Sequence, residues 1–180
     1  MRRLVIAVSG TPGTGKSVFA RALAKKLGCP VIELNALITE KKIYTLGTDG
    51  TKIADLSKMR REFARVVKKA SGSIIVEGLL AHLLQKKLIT HVVVLRTRPK
   101  VLERRLRVRG YSSEKMRENI EAEALDIILW EAVDMHGIEK VYEIDTTRLR
   151  PGAATDLFLK ALDGKISLRP GKISWLTEVF

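Results

Sequence analysis

A chain of 180 residues has the length of one domain with room for a small inserted lid. Its 46% hydrophobic content supports a packed core and excludes a disordered composition, and no apolar run approaches the length of a membrane span. The net charge of +13, from 33 basic and 20 acidic residues, suits anionic small molecules, nucleic acid or both.

The N-terminal MRRLVIAVSG carries two arginines and a short apolar run, as a signal peptide does. The run passes straight into a Gly-rich segment with no small-residue cleavage site, so it reads as a first buried strand of a soluble, cytoplasmic protein. Residues 16–27 follow as a helix with Phe19, Leu23 and Leu27 on one face, stopped by Gly28 and Pro30. Cys29 at this junction is the single cysteine, which excludes an internal disulfide and suits a small buried apolar group better than a reactive thiol. Residues 31–34 form a short strand. Residues 35–57 have mixed periodicity, and GTDGT within them marks a turn or mobile loop.

An amphipathic helix then begins near Ser57, a suitable N-cap. SIIVEG (73–78) and HVVVLRT (91–97) are buried strands. Residues 98–110 form a basic helix opened by Pro99 and closed by Gly110. A single long helix is expected over 112–136, capped by Ser112 or Ser113. A strand over 139–146 and a helix over 152–164 follow, and an irregular tail over 165–180 offers Trp175 and Phe180 for docking. Strands separated by helices predict an α/β fold, a three-layer α/β/α sandwich around a parallel sheet.

The chemistry is concentrated in SGTPGTGKS, which has the spacing G-x-x-x-x-G-K-S from Gly10 to Ser17. It follows a predicted strand and opens a predicted helix, the context the phosphate-binding loop requires. Gly10, Gly13 and Gly15 give the backbone the freedom to turn its N–H groups inward. The helix that follows points its positive end at the same anion. Lys16 reaches the β- and γ-phosphates and Ser17 holds Mg²⁺.

Pumps, switches, helicases and small-molecule kinases all carry such a loop. A guanine-reading N-K-x-D is absent, which counts against a GTP switch. IIV ends in Glu77 with no adjacent second carboxylate, unlike motor and helicase ATPases. Glu77 stands at the carboxyl end of its strand, where ligands sit in such sheets, and can hold Mg²⁺ through water. Residues 96–117 contain nine basic residues and two acidic ones. Arginines on a closing lid neutralise the charge of two nucleotides and exclude water. Arg105 and Arg109, four apart, share a helix face toward the site, whereas Arg104 and Arg107 face solvent or RNA. A shikimate-type kinase would carry a Gly-Gly-Gly substrate loop, which this chain lacks.

SGTPGTGKS, LRT at 95–97, VLERRLRVRGYSSEKMRENIEAE and the placement of IIVEG between them resemble the adenylate kinase isoenzyme 6 family over about residues 3–145. The resemblance implies a P-loop NTPase fold with a five-stranded parallel sheet, a monophosphate-binding insert at about 33–56 and a lid at about 108–118. It implies ATP- and Mg²⁺-dependent phosphorylation of a nucleoside monophosphate, AMP typically. Gly13, Gly15, Lys16, Ser17 and Val18 would bind ATP, and Arg109 would contact it from the lid. It also implies a role in maturation of small-subunit ribosomal RNA beside a ribosomal protein of the platform. Eukaryotic members carry Asp-x-His where this chain has Glu77-Gly78-Leu79; His82 either substitutes for that histidine or is simply packed.

Overall fold

The computed structural model describes residues 3–48 and 50–180; Asp49, inside the predicted GTDGT turn, and Met1 and Arg2 lie outside the described residues. Five strands form one parallel sheet: β1 (Val5–Ser9), β2 (Val31–Glu33), β5 (Ile74–Glu77), β6 (His91–Arg96) and β7 (Val141–Asp145), in the order β2-β5-β1-β6-β7. β1 lies at the centre, with Val8 beside Glu77 of β5 on one side and Val93 of β6 on the other. The strand residues are apolar without alternation because both faces are covered.

The two faces separate residue by residue, as a period of two requires. Val5, Ala7, Ile74, Val76, Val92 and Val94 point into one core layer. There they meet Met59 and Phe63 of α3 (Leu56–Lys69) and Leu129 and Ala132 of α6 (Ile127–His136). Ile6, Val8, Ile75, Val93 and Leu95 point the other way, onto Phe19 and Leu23 of α1 (Lys16–Leu27) and Phe158 of α7 (Pro151–Leu162). Phe19 and Phe158 meet edge to face at 6.2 Å between centroids. The three-layer sandwich and the five-stranded parallel sheet are as the sequence predicts.

Two local expectations are corrected. The cap of α3 is Asp55, whose carboxylate accepts from Lys58 N–H at 3.0 Å, so the helix starts before Ser57. The long helix over 112–136 is two: α5 (Ser113–Ala124), capped by Ser112, and α6, with Asp126 between them at φ +56. The predicted insert, about 33–56, has regular structure on both sides of GTDGT. It holds α2 (Leu34–Glu40) and an antiparallel hairpin of β3 (Tyr44–Leu46) and β4 (Lys52–Ala54).

The tail is irregular but docked. Leu168 O accepts from Glu143 N–H at 2.9 Å, and the Glu143 carboxylate accepts from Gly171 and Lys172 N–H at 2.9 and 3.1 Å. Trp175 is buried, while Phe180 is exposed. Cys29 is half-buried, and burial pushes its thiol pKa up, against a reactive role.

Candidate functional site

The phosphate loop joins β1 to α1 at the carboxyl edge of the sheet. Its shape requires glycine. Gly10 has φ +144, and a Cβ there would stand 2.4 Å from Leu95 O of β6. Gly13 has φ +94, and a Cβ would meet Leu102 Cδ1 of α4 (Pro99–Val108) at 2.9 Å. Gly15 precedes α1 in a left-handed conformation and gives the helix no side-chain cap. The first N–H groups of α1 are thereby left for an anion.

Lys16 folds back over the loop. Its ammonium donates to Gly10 O at 2.8 Å and Thr11 O at 3.1 Å. Burial lowers its pKa from 10.5 to about 8; Glu77 opposes that shift, Arg109 adds to it, and Glu123 opposes it more weakly. Ser17 Oγ donates to Glu77 Oε1 at 2.9 Å. A hydroxyl and a carboxylate side by side at the loop are hard oxygen donors, and Mg²⁺ needs few such protein ligands. The pair therefore fits the predicted magnesium site.

Of the predicted nucleotide-binding residues, Gly13, Gly15, Val18 and Arg109 share one cleft, while Lys16 and Ser17 do not line it. Arg105 and Leu149 also line that cleft, of about 220 Å³. Val18 is exposed at its mouth. Arg105 has a more defined place than the sequence reading gave it. It donates to Gly13 O at 3.2 Å, Thr97 Oγ1 at 3.3 Å and Thr146 O at 3.1 Å, bracing the loop. Thr146 Oγ1 adds a bond to Thr14 O at 2.8 Å. Arg109, just after α4, is exposed at the start of the predicted lid. A second cavity of about 620 Å³ is walled by Ile38, Ile53, Leu56, Leu79 and Leu83 with Asn35 and Thr39, residues of the predicted insert and of the segment after β5.

The nine basic residues divide. Arg96 is fully buried and pairs with Glu123 and Glu143 at 2.8 and 2.9 Å, and with Asp126. Arg98 pairs with Glu178 of the tail at 3.0 Å, and its guanidinium sits 5.4 Å from the Trp175 ring centre. Arg107 pairs with Glu103 and Arg117 with Glu121 on exposed helix faces. Of the nine, Arg105 and Arg109 line the cleft. His82 is packed: its Nδ1 meets Ser9 Oγ at 2.8 Å and its Nε2 meets Glu131 Oε2 at 2.8 Å. Burial lowers its pKa.

Sequence reasoning assigned no role to Thr11, Glu123 or Thr146 and placed Arg96 with the basic lid residues. A signal existed for Arg96. An arginine ending an apolar strand run, HVVVLR, must find buried carboxylates, because an arginine is almost never fully buried unpaired. The partners lie 27 and 47 residues away, and no spacing rule finds them.

A Gly-rich loop between a central parallel strand and a helix, with an arginine-lined cleft beside it, defines the P-loop kinase class of α/β proteins. The fold matches shikimate kinase from Bacteroides thetaiotaomicron with a TM-score of 0.58 and 21% identity, covering 89% of this chain and 98% of that one. Residues 6–126 match the family model described as AAA domain. A Pyrococcus furiosus protein named "Putative adenylate kinase" is 39% identical over 98% of this chain and 93% of its own length. A Halobacterium salinarum protein of the same name is 41% identical over 97% and 99%. The chain belongs to this family.

Proposed function

We propose that this protein transfers the γ-phosphoryl group of ATP to a nucleoside monophosphate, AMP in the first place, giving two nucleoside diphosphates. The observation that carries this reading is an arginine-lined cleft formed with the phosphate loop, together with a second cavity lined by Leu79, two residues past the Glu77 that accepts from Ser17. The cleft with Arg105 and Arg109 suits the donor, and the larger cavity walled by insert residues suits an acceptor. Lys16, Ser17 and Glu77 stand at the loop itself. The relatives' name supports the same acceptor class.

An α-phosphate oxygen of the acceptor attacks the γ-phosphorus in line. That oxygen is already anionic, so positioning and charge stabilisation carry the rate without a strong base. Lys16, Arg105 and Arg109 offset the charge on the equatorial oxygens, and closure of the lid over about 108–118 excludes water. Ser17 and Glu77 would hold Mg²⁺, which would offset the negative charge of the nucleotide phosphates. The net charge of +13 supports the further role of acting on small-subunit ribosomal RNA maturation beside a ribosomal platform protein.

The test is to incubate the protein with MgATP alone and with each monophosphate, then separate the products. ADP formed in amounts that depend on AMP is the expected result, and Lys16→Met abolishes it, by ~10³-fold or more, in a folded protein. ADP from ATP alone, unaffected by any monophosphate, would replace the kinase with an assembly ATPase whose acceptor is water. Near wild-type transfer by Lys16→Met would sink the site assignment altogether.

A further inference from the structure

The phosphate loop is held on its outer flank by a residue with no place in the motif. Glu123 is in the last turn of α5 and is buried. Its Oε2 accepts from Thr11 Oγ1–H at 2.5 Å. Its Oε1 accepts from Arg96 Nε at 2.8 Å and from Thr97 N–H at 3.0 Å. Arg96 also donates to the Glu123 carbonyl at 2.8 Å and to Glu143 at 2.9 Å, so the carboxylate is pinned from both ends.

Thr11 is equally buried, and it is the hub of the loop. Its carbonyl takes the Lys16 ammonium at 3.1 Å, Thr14 N–H at 3.2 Å and Thr14 Oγ1–H at 2.8 Å. The side chain that fixes Thr11 therefore fixes the carbonyl that aims Lys16. A buried charge-assisted hydrogen bond is strong and directional, which suits it to setting geometry. α5 begins at Ser113, inside the predicted lid of about 108–118, so the same helix runs from lid to loop.

We infer that Glu123 is a positioning residue for phosphoryl transfer: through Thr11 it holds the phosphate loop and Lys16 in nucleotide-binding geometry and ties the lid helix to that loop. The inference rests on the kinase reading for its catalytic half, and on nucleotide binding alone for the other half.

Thr11→Val removes the hydroxyl at nearly constant volume and leaves the Glu123–Arg96 pair intact. Thr11→Ser keeps the hydroxyl. The readouts are the MgATP dissociation constant by calorimetry, turnover with saturating AMP, and Tm. Thr11→Val is expected to weaken MgATP binding and to lower turnover, each by ~10-fold, the scale seen when a residue orienting an active-site group is removed. Thr11→Ser recovers both to within about threefold of wild type. A purely structural hydroxyl would lower Tm and leave binding and turnover within about twofold of wild type, and that result overturns the inference. Should Thr11→Val not fold, Glu123→Gln takes its place: weakened MgATP binding in a folded protein supports the role, and wild-type binding overturns it. If the wild-type protein transfers no phosphoryl group to any monophosphate, the kinase reading fails, and the binding constants of the variants still decide the role of Glu123.

Discussion

Lys16 is a half-buried ammonium beside its own loop carbonyls, and with its pKa lowered to about 8 the proposed nucleotide binding is expected to be proton-linked. Burial disfavours its charged form in the free protein; phosphate oxygens placed against it favour that form. Its pKa thus rises on binding. A unit or more below pH 8 the group is mostly charged before and after, and little proton moves. Above pH 8 it is neutral in the free protein and charged in the complex, so binding takes up a proton and affinity falls as pH rises, by up to ~10-fold per pH unit. Calorimetry in two buffers of different ionisation enthalpy checks this: nearly buffer-independent heats at pH 7 and proton uptake approaching one at pH 9.5. Equal heats in both buffers at pH 9.5 would refute the linkage. At this scale the phosphate-loop residues were legible because their spacing encodes a phosphate cradle, whereas the pairing of Glu123 with Thr11 was not. It is a contact across 112 residues that local pattern does not contain.

The break between α5 and α6 shows how a tertiary contact overrides helical periodicity. Residues 112–136 read as one helix, yet Asp126 adopts φ +56 and turns its carboxylate to Arg96. A buried guanidinium with two further carboxylates around it outweighs the cost of one left-handed residue, which is about 1–2 kcal/mol. Asp126→Gly and Asp126→Ala both remove the carboxylate, but only alanine retains the left-handed penalty. Asp126→Ala should therefore be the less stable by about 1 kcal/mol in urea unfolding. Equal stabilities would mean that α5 and α6 merge into one helix when the carboxylate is lost. The remaining elements were legible because they are periodic and flanked by breakers, as with Gly28 after α1 and Pro99 opening α4. The insert resisted reading because β3 and β4 are three residues each, too short for alternation to register.

The whole molecule closes on itself through the tail. Glu143 on the edge strand accepts two consecutive backbone N–H groups from Gly171 and Lys172 while also holding Arg96. Trp175 then buries against Arg98, which in turn pairs with Glu178. Among the described residues, no tail residue lines the Arg105–Arg109 cleft; Trp175 lines a neighbouring cavity that shares Leu149 with it. The tail is thus a stabilising strap, separable in effect from the loop's own braces. Trp175→Ala deletes the largest apolar group of the strap and should cost about 3 kcal/mol, since truncating a buried tryptophan creates a void or releases the segment. For a domain of this size that lowers Tm by roughly 6–12 °C. Turnover at 25 °C, well below the melt, should stay within about twofold of wild type, because the Arg105 and Glu123 contacts to the loop persist. The opposite pattern is expected of Thr11→Val, where binding and turnover fall more than stability does. A Trp175→Ala protein with unchanged Tm would show that the strap contributes nothing to the fold. One with an unchanged Tm and weakened MgATP binding would place the tail in the nucleotide site.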